Sequence, residues 1–428
     1  MLTVGTFHDV TAIDLDYDAR GVVRIDDSVV YVPYLLPSEK ATITITKCSK
    51  KFAEGVIVQR HTQSPHRIFH PDEHLGGCDT IHMDEKLQSD WMIQMVKRTL
   101  YKGAHLDVIP EAIVTDGKRT HYRNKSVFHV LFTSPLSFGL YQKNPIKLVQ
   151  VSEFVLSDEP TLWVLEALIK ARLFVENNSI RTMVIRTNPD GKALVTFVVN
   201  KAEFKGQSEV LTCLETLDFV TGVTFNLNPY SNTILSQSSI TMMGENRLKM
   251  PLNRGYVWID DRSFFQVNLG VAKKVYALID SYIEKNDIVI DAFSGVGSIG
   301  FNFLGKAKDI IMIESNPASY QMALKTQHDL GAKSVKIINQ PAEKAMIGLK
   351  GNVIILDPPR NGLMPELTEH LIKNPYPCLI YLSCDLKTLA RDLNRLKEIY
   401  TIEKVYPVLM FPNTSETETL VIMKTGKF

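Results

Sequence analysis

Between Asp287 and Lys424 the chain reads DIVIDAF (287–293), DIIMIE (309–314), VKIIN (335–339), VIILD (353–357), CLIYLS (378–383), EKVYPV (403–408) and TLVIMK (419–424). Short apolar runs of this length, set between polar stretches, read as buried strands. The first five are separated by spacers of roughly helix length, as a parallel sheet built from βαβ crossovers requires. The last two lie close together and predict a closing hairpin with one antiparallel strand. The fold class that follows is α/β, with a seven-stranded Rossmann-like sheet.

In an open α/β sheet, ligands bind outside the carboxyl ends of the strands. The first strand ends in Asp291-Ala-Phe-Ser-Gly295-Val-Gly297-Ser-Ile-Gly300, the second in Glu314, and the fourth in Asp357-Pro-Pro-Arg360. Cys384 directly follows the fifth. The seventh strand runs backwards, so Glu418 at its start belongs to the same edge. The glycine loop fits GxGxxG: Gly295 and Gly297 permit a tight turn close to a ligand, and Gly300 permits close helix packing. Glu314 stands nineteen residues after Gly295, where an acid accepts hydrogen bonds from a ribose diol. A nicotinamide dehydrogenase, or a turn with no ligand, satisfies this pattern equally.

Cys384 precedes Asp385-Leu-Lys-Thr-Leu-Ala-Arg-Asp, which reads as a helix start. A thiol there feels the positive end of the helix dipole, which favours thiolate and suits a nucleophile. The alternative is a buried structural cysteine. Pro377-Cys378 is similar to the Pro-Cys of some cytosine methylases, but Cys378 begins its strand, at the opposite edge of the sheet.

Upstream, residues 1–59 read as short strands with turn signals, among them VVRIDDSVVYVPY with a tight turn at Asp26-Asp27, and the alternating ATITITKCSK. They predict a small oligonucleotide-binding type of β-barrel or a ligand-free β cap. Residues 60–250 form a central α+β unit, and residues 251–428 carry the α/β pattern. His61, His66, His70, His74 and His82 crowd near Cys78. Basic and acidic residues number 48 and 47, for a net charge of +1, so a nucleic-acid ligand requires a local basic patch. The N-terminus has no apolar signal core and no run is long enough for a membrane span. Five scattered cysteines argue for reduced thiols. The expectation is a cytoplasmic monomer that does not engage membranes.

Together these residues resemble the uracil-5 RNA methyltransferase family, which acts on transfer RNA or large-subunit ribosomal RNA with S-adenosylmethionine. The resemblance is carried by Phe264-Phe265-Gln266-Val-Asn268, Tyr122-Arg-Asn-Lys125, Asp357-Pro-Pro-Arg-Asn-Gly362, Ser383-Cys384 with Thr388-Leu-Ala-Arg391-Asp, and Phe411-Pro-Asn-Thr414-Ser-Glu-Thr-Glu418. It implies an S-adenosylmethionine methyltransferase sheet and an RNA-binding (TRAM-type) barrel over 1–59. It implies cofactor binding by Gln266, Phe293, Gly295, Glu314 and Asp357, with Cys384 as nucleophile and Glu418 as general base. Carbon 5 of uracil is a poor nucleophile. Thiolate addition at carbon 6 makes it reactive, and a base must then remove the carbon-5 proton.

The chain departs from the family at three places. Many members hold an iron–sulfur cluster on four cysteines near the histidine-rich segment. Here Cys78 remains, and Phe69, Leu75 and Phe154 take the other positions, which predicts apolar packing and no cluster. The four-residue spacing of His66, His70, His74, Cys78 and His82 would share a helix face, but Pro71, Gly76 and Gly77 oppose that helix, so no metal is expected. Gln340-Pro341 replaces Gly-Asp after the third strand, and Glu416 replaces a histidine two residues before Glu418, which bears on how that base is oriented. The target uridine must lie in a loop or be flipped out. Lys47, Lys50, Lys51, Lys97, Arg98, Lys102, Arg119, Arg123 and Lys125 are candidates for tracking the RNA backbone. The resemblance implies 23S ribosomal RNA over transfer RNA, because such a barrel is typical of the family's ribosomal-RNA enzymes. Rival readings are a cytosine-5 methylase and a non-catalytic RNA-binding or assembly protein.

Overall fold

The computed structural model describes residues 2–143, 146–229 and 233–426. The seven apolar runs form one sheet of β1 (Ile288–Asp291), β2 (Asp309–Ile313), β3 (Val335–Ile338), β4 (Val353–Leu356), β5 (Cys378–Ser383), β6 (Tyr400–Val408) and β7 (Glu418–Thr425). Their spatial order is β3-β2-β1-β4-β5-β7-β6. Pairings among β1 to β5 are parallel, and β7 inserts antiparallel between β5 and β6. The order reverses between β1 and β4, the switch point where such sheets open a crevice. The β5–β7 register sets Ser383 opposite Thr419, which brings the next residues, Cys384 and Glu418, to one edge.

Two crossovers are not the helices that spacing predicts. Between β1 and β2 stands only a 3₁₀ turn, Gly300–Phe303, and between β3 and β4 only the short helix Ala342–Ala345. Glycine inside a helix costs about 1 kcal/mol relative to alanine. The first crossover carries Gly295, Gly297, Gly300 and Gly305, three of them at positive φ. The second is closed off by Pro341, Gly348 and Gly351.

Three helices flank the site: α1 (Glu85–Ala104), α2 (Leu269–Asp280) and α3 (Leu386–Leu396). Asp84 caps α1 by accepting from the Leu87 N–H at 2.7 Å. Although α1 precedes the central unit in sequence, its apolar face (Trp91, Met92, Met95, Val96, Leu100) shares one core with Leu386, Leu389 and Leu393 of α3 and with Leu356 of β4. A Cβ on Gly103 would lie 2.8 Å from that of Ala390, so this glycine sets how closely the two helices approach.

Six strands between Phe7 and Arg60 make the N-terminal barrel-like sheet. Strict alternation buries Ala41, Ile43 and Ile45 against Val23, Val30 and Val32. Asp26 turns the Ile25–Ser28 hairpin at φ +50°. A seven-stranded mixed sheet spans Lys125 to Gly244, with helices Glu159–Lys170 and Gln207–Glu215 packed on it. Among the described residues no helix is long and apolar enough to cross a membrane.

Candidate active site

The glycine loop leaves β1 beside Glu314. Gly295, at φ +56°, has open space where a Cβ would stand, and its N–H donates to Glu314 Oε2 at 2.8 Å. The other carboxylate oxygen of Glu314 accepts from the Asn316 N–H. The acid that spacing offers to a ribose diol thus also holds the loop. Each of its oxygens keeps a second lone pair for a hydroxyl donor. Gly300 packs against a strand rather than a helix: its Cβ would meet Met312 Sδ of β2 at 2.6 Å. At Gly297, φ is +88° and a Cβ would sit 2.5 Å from the Phe301 ring. Gly297→Ala is therefore expected to cost about 1–3 kcal/mol, read as a lower midpoint in denaturant unfolding. An unchanged midpoint would contradict this account of the loop.

Phe293 is half-buried against the core shared by α1 and β4. Gln266 is buried, and its carbonyl accepts from Asn124 Nδ2 at 3.0 Å. Two residues on, Asn268 caps α2 through the Val271 N–H. After β3, Gln340 is exposed, and the tie to β2 comes from Asn339, whose Nδ2 donates to the Glu314 carbonyl at 2.7 Å.

Four titratable groups meet at the β1–β4–β5–β7 edge. Asp291 is buried. Its Oδ2 accepts from the Gly300 N–H at 3.0 Å, while Oδ1 finds no partner among the described residues. Burial, then the charge of Asp357, pushes its carboxyl up to about 7. Asp357 keeps some access to the crevice, yet the protein around it also pushes it upward. Glu418 is 2% exposed and its Oε2 is likewise unpartnered. Burial and then Asp357 raise it well above the ordinary glutamate range.

Cys384 departs from the expected depressed thiol. It precedes Asp385, which caps α3 by accepting from the Thr388 N–H at 2.8 Å. Burial first, then the charges of Glu418 and Asp357, push the thiol up to about 11, against the opposing pull of Arg360. A helix terminus acts over about one turn at modest strength, and two carboxyl groups in a dry crevice outweigh it. Charged carboxyls at this edge therefore disfavour the thiolate.

The loops carrying these residues are braced from far away in sequence. Asp392 is buried and accepts from the Leu363 N–H and the Tyr381 hydroxyl at 2.8 and 2.9 Å. Arg391 donates to the Asn361 carbonyl at 2.8 Å. The Thr-Leu-Ala-Arg-Asp block thus pins the turn after Asp357. The segment before Glu418 is held by the upstream chain. Asn413 Oδ1 accepts from Arg119 at 2.7 Å, the Pro412 carbonyl from Tyr122 at 2.9 Å, and the Thr414 carbonyl from Thr80 at 3.1 Å. Glu416 pairs with Arg360 at 2.6 Å, joining the loop after β4 to the loop before β7.

Other predicted residues lie elsewhere or face inward. Arg119 is spent on the Met83 carbonyl and Asn413. Arg123 lies over the Tyr122 and Phe154 rings. Lys125, beside Arg186 and largely enclosed, is pushed down to about 7 by that charge and by burial. These three do not form an outer RNA track, whereas Lys47 and Lys102 are exposed and Arg98 pairs with Asp14. Leu75, Cys78 and Phe154 share one core, but Phe69 is 87% exposed. The expected apolar packing therefore holds for Leu75 and Phe154 but not for Phe69. The histidines disperse: His66 bonds Asp84 at 2.8 Å, and His82 is fully buried and held neutral, its pKa pushed down to about 3. Among the described residues no three of His, Cys, Asp and Glu converge as a metal site.

Residues 252–426 match the tRNA (uracil-5-)-methyltransferase family, and residues 2–58 match the TRAM domain. An uncharacterized RNA methyltransferase of Oceanobacillus iheyensis is 30% identical over 96% of this chain and 95% of its own length. One of Staphylococcus aureus is 28% identical over 96% of both. The fold is that of Pyrococcus abyssi tRNA (uracil-54, C5)-methyltransferase, solved with S-adenosyl-L-homocysteine, at 20% identity and a TM-score of 0.78 over 97% of this chain and all of that one. With a TRAM domain ahead of it and full-length relatives that methylate RNA by name, the chain belongs to the tRNA (uracil-5-)-methyltransferase family of S-adenosylmethionine-dependent RNA methyltransferases.

Proposed function

We propose that this protein methylates carbon 5 of a uridine in structured RNA through a covalent adduct at Cys384, with Glu418 as the base. The observation that carries the reading is the pairing, at one sheet edge, of a thiol with a buried, unpartnered carboxyl. The residues also fit the donor: an open glycine loop and Glu314 with lone pairs to spare stand at the sheet's switch point. Gln266, Phe293, Gly295, Glu314 and Asp357 would hold S-adenosylmethionine, which supplies an electrophilic methyl group.

Cys384 gives up its proton to the carboxyl cluster, and its sulfur forms a bond to carbon 6. The electron pair of the 5,6 double bond moves toward oxygen 4, and carbon 5 becomes the nucleophile that would take the methyl group, the donor leaving as its neutral thioether. Glu418 then removes the carbon-5 proton. The electron pair re-forms the double bond and expels the Cys384 thiolate. A carboxyl held near neutrality suits both proton steps. Arg360, exposed beside Cys384, offers charge to the incoming thiolate.

Our first reading of the substrate is 23S ribosomal RNA in the cytoplasm. Transfer RNA is the second, and one observation favours it. The likeness to the Pyrococcus transfer-RNA enzyme extends over 97% of the chain, so a barrel ahead of the catalytic sheet is compatible with either RNA. Methyl transfer to separate ribosomal and transfer RNA pools, followed by digestion to nucleosides, decides between them. Label in 5-methyluridine from one pool names the substrate. Label in 5-methylcytidine overturns the uridine assignment.

A further inference from the structure

The sheet edge that carries Cys384 and Glu418 borders a second opening. Helix α2 ends at the amino edge, where Lys306, shortly before β2, donates to the Asp280 carbonyl at 2.6 Å. Its first turn therefore points to the carboxyl edge. Between that turn and the central unit lies an open groove of about 880 Å³. Its lining is tied to the active site: Tyr122 donates to the Pro412 carbonyl before Glu418 at 2.9 Å, and Asn124 to the Gln266 carbonyl at 3.0 Å. Trp163 of the helix Glu159–Lys170 stands in the groove 47% exposed, its ring braced edge-on by Phe219 at 5.5 Å. His121, also in the lining, is held at φ +51°, which costs a residue other than glycine about 1–3 kcal/mol. Its Nδ1 lies 3.0 Å from the Ser157 carbonyl, so the neutral ring keeps its proton there and Nε2 is an acceptor. Asn268, 1% exposed, belongs to the same lining, and its Nδ2 has no acceptor among the described residues.

We propose that this groove receives a base of the substrate RNA other than the target, stacked on Trp163 and selected for an exocyclic amine. This rests on the proposed function, which supplies the RNA. The indole offers a flat apolar face, and stacking on such a ring tolerates any base, so selection must come from the polar lining. There Asp116, Asp158, Glu159 and Asp190 outnumber Lys118 and Lys273. That balance repels a phosphate and leaves the sugar–phosphate backbone outside. With the His121 Nε2 acceptor, it suits the amine of adenine, cytosine or guanine. Adenine and cytosine pair that amine with a ring acceptor, the kind of group that Asn268 Nδ2 lacks. Uracil would turn two carbonyls toward the carboxylates and is disfavoured.

The test is Trp163→Ala, which removes an exposed ring and should leave melting temperature and S-adenosylmethionine affinity as in the wild type. Its KM for the methylated RNA pool is expected to rise about 5–100-fold, with kcat at saturating RNA unchanged. A second readout needs no catalysis. With S-adenosyl-L-homocysteine saturating the donor site, adenosine and cytidine should quench the Trp163 fluorescence and uridine much less, and Trp163→Phe should lose the quench. An unchanged KM, or quenching by uridine equal to that by adenosine, would overturn the proposal. Quenching by spermidine and by no nucleoside would overturn it too, and would assign the acidic groove to a cationic partner. If no RNA pool is methylated, the proposed function fails, while the nucleoside comparison still decides what the groove takes.

Discussion

Cys384→Ala is expected to bind S-adenosylmethionine like the wild type and to transfer no measurable methyl group, a loss of at least ~10³-fold. The side chain is small, partly exposed and at the end of a strand, so its removal leaves the fold intact. The effect is chemical: without sulfur at carbon 6, carbon 5 remains unactivated. Wild-type protein should be trapped covalently on RNA containing 5-fluorouridine, because fluorine cannot leave as the proton does, and Cys384→Ala should form no such adduct. Retained trapping in the variant would point to Cys378, but that thiol is buried at the opposite edge and pushed upward by burial.

Glu418→Gln separates the two halves of the reaction. Addition at carbon 6 and methyl transfer precede proton removal, so this variant should accumulate a methylated protein–RNA adduct. Turnover should fall by about 10²–10⁴-fold. Gel-shifted protein bearing methyl label, stable to denaturation, is the expected product. Free methylated RNA at the wild-type rate would show that another group removes the proton, with Asp357 an alternative at the same edge. Glutamine fills the same buried space, and Oε2 has no bond to lose.

The catalytic sheet was legible because each strand is a short apolar run and each key residue abuts one. Asp291, Glu314, Asp357, Cys384 and Glu418 could all be assigned to one edge from strand polarity alone. What escaped depended on partners distant in the chain. α1 shows an apolar stripe, but nothing local says that α3, some 280 residues on, covers it. The Arg119–Asn413 bond spans 294 residues, and it turns an expected RNA contact into a brace for the Glu418 loop. Arg123 and Lys125 failed as surface cations for the same reason, since side-chain direction is set by the sheet they enter. Local reasoning also gave Cys384 a helix dipole and did not weigh against it the burial and the carboxyl charges of Glu418 and Asp357 at the same edge.

The most direct test labels the RNA rather than the donor. Substrate RNA carrying tritium on carbon 5 of uridine should release tritium to water in step with methyl incorporation, one for one, because that proton is the one Glu418 removes. Methyl incorporation with the tritium retained would place the methyl group on a nitrogen, an oxygen or another base, and would contradict the assignment of Cys384 and Glu418.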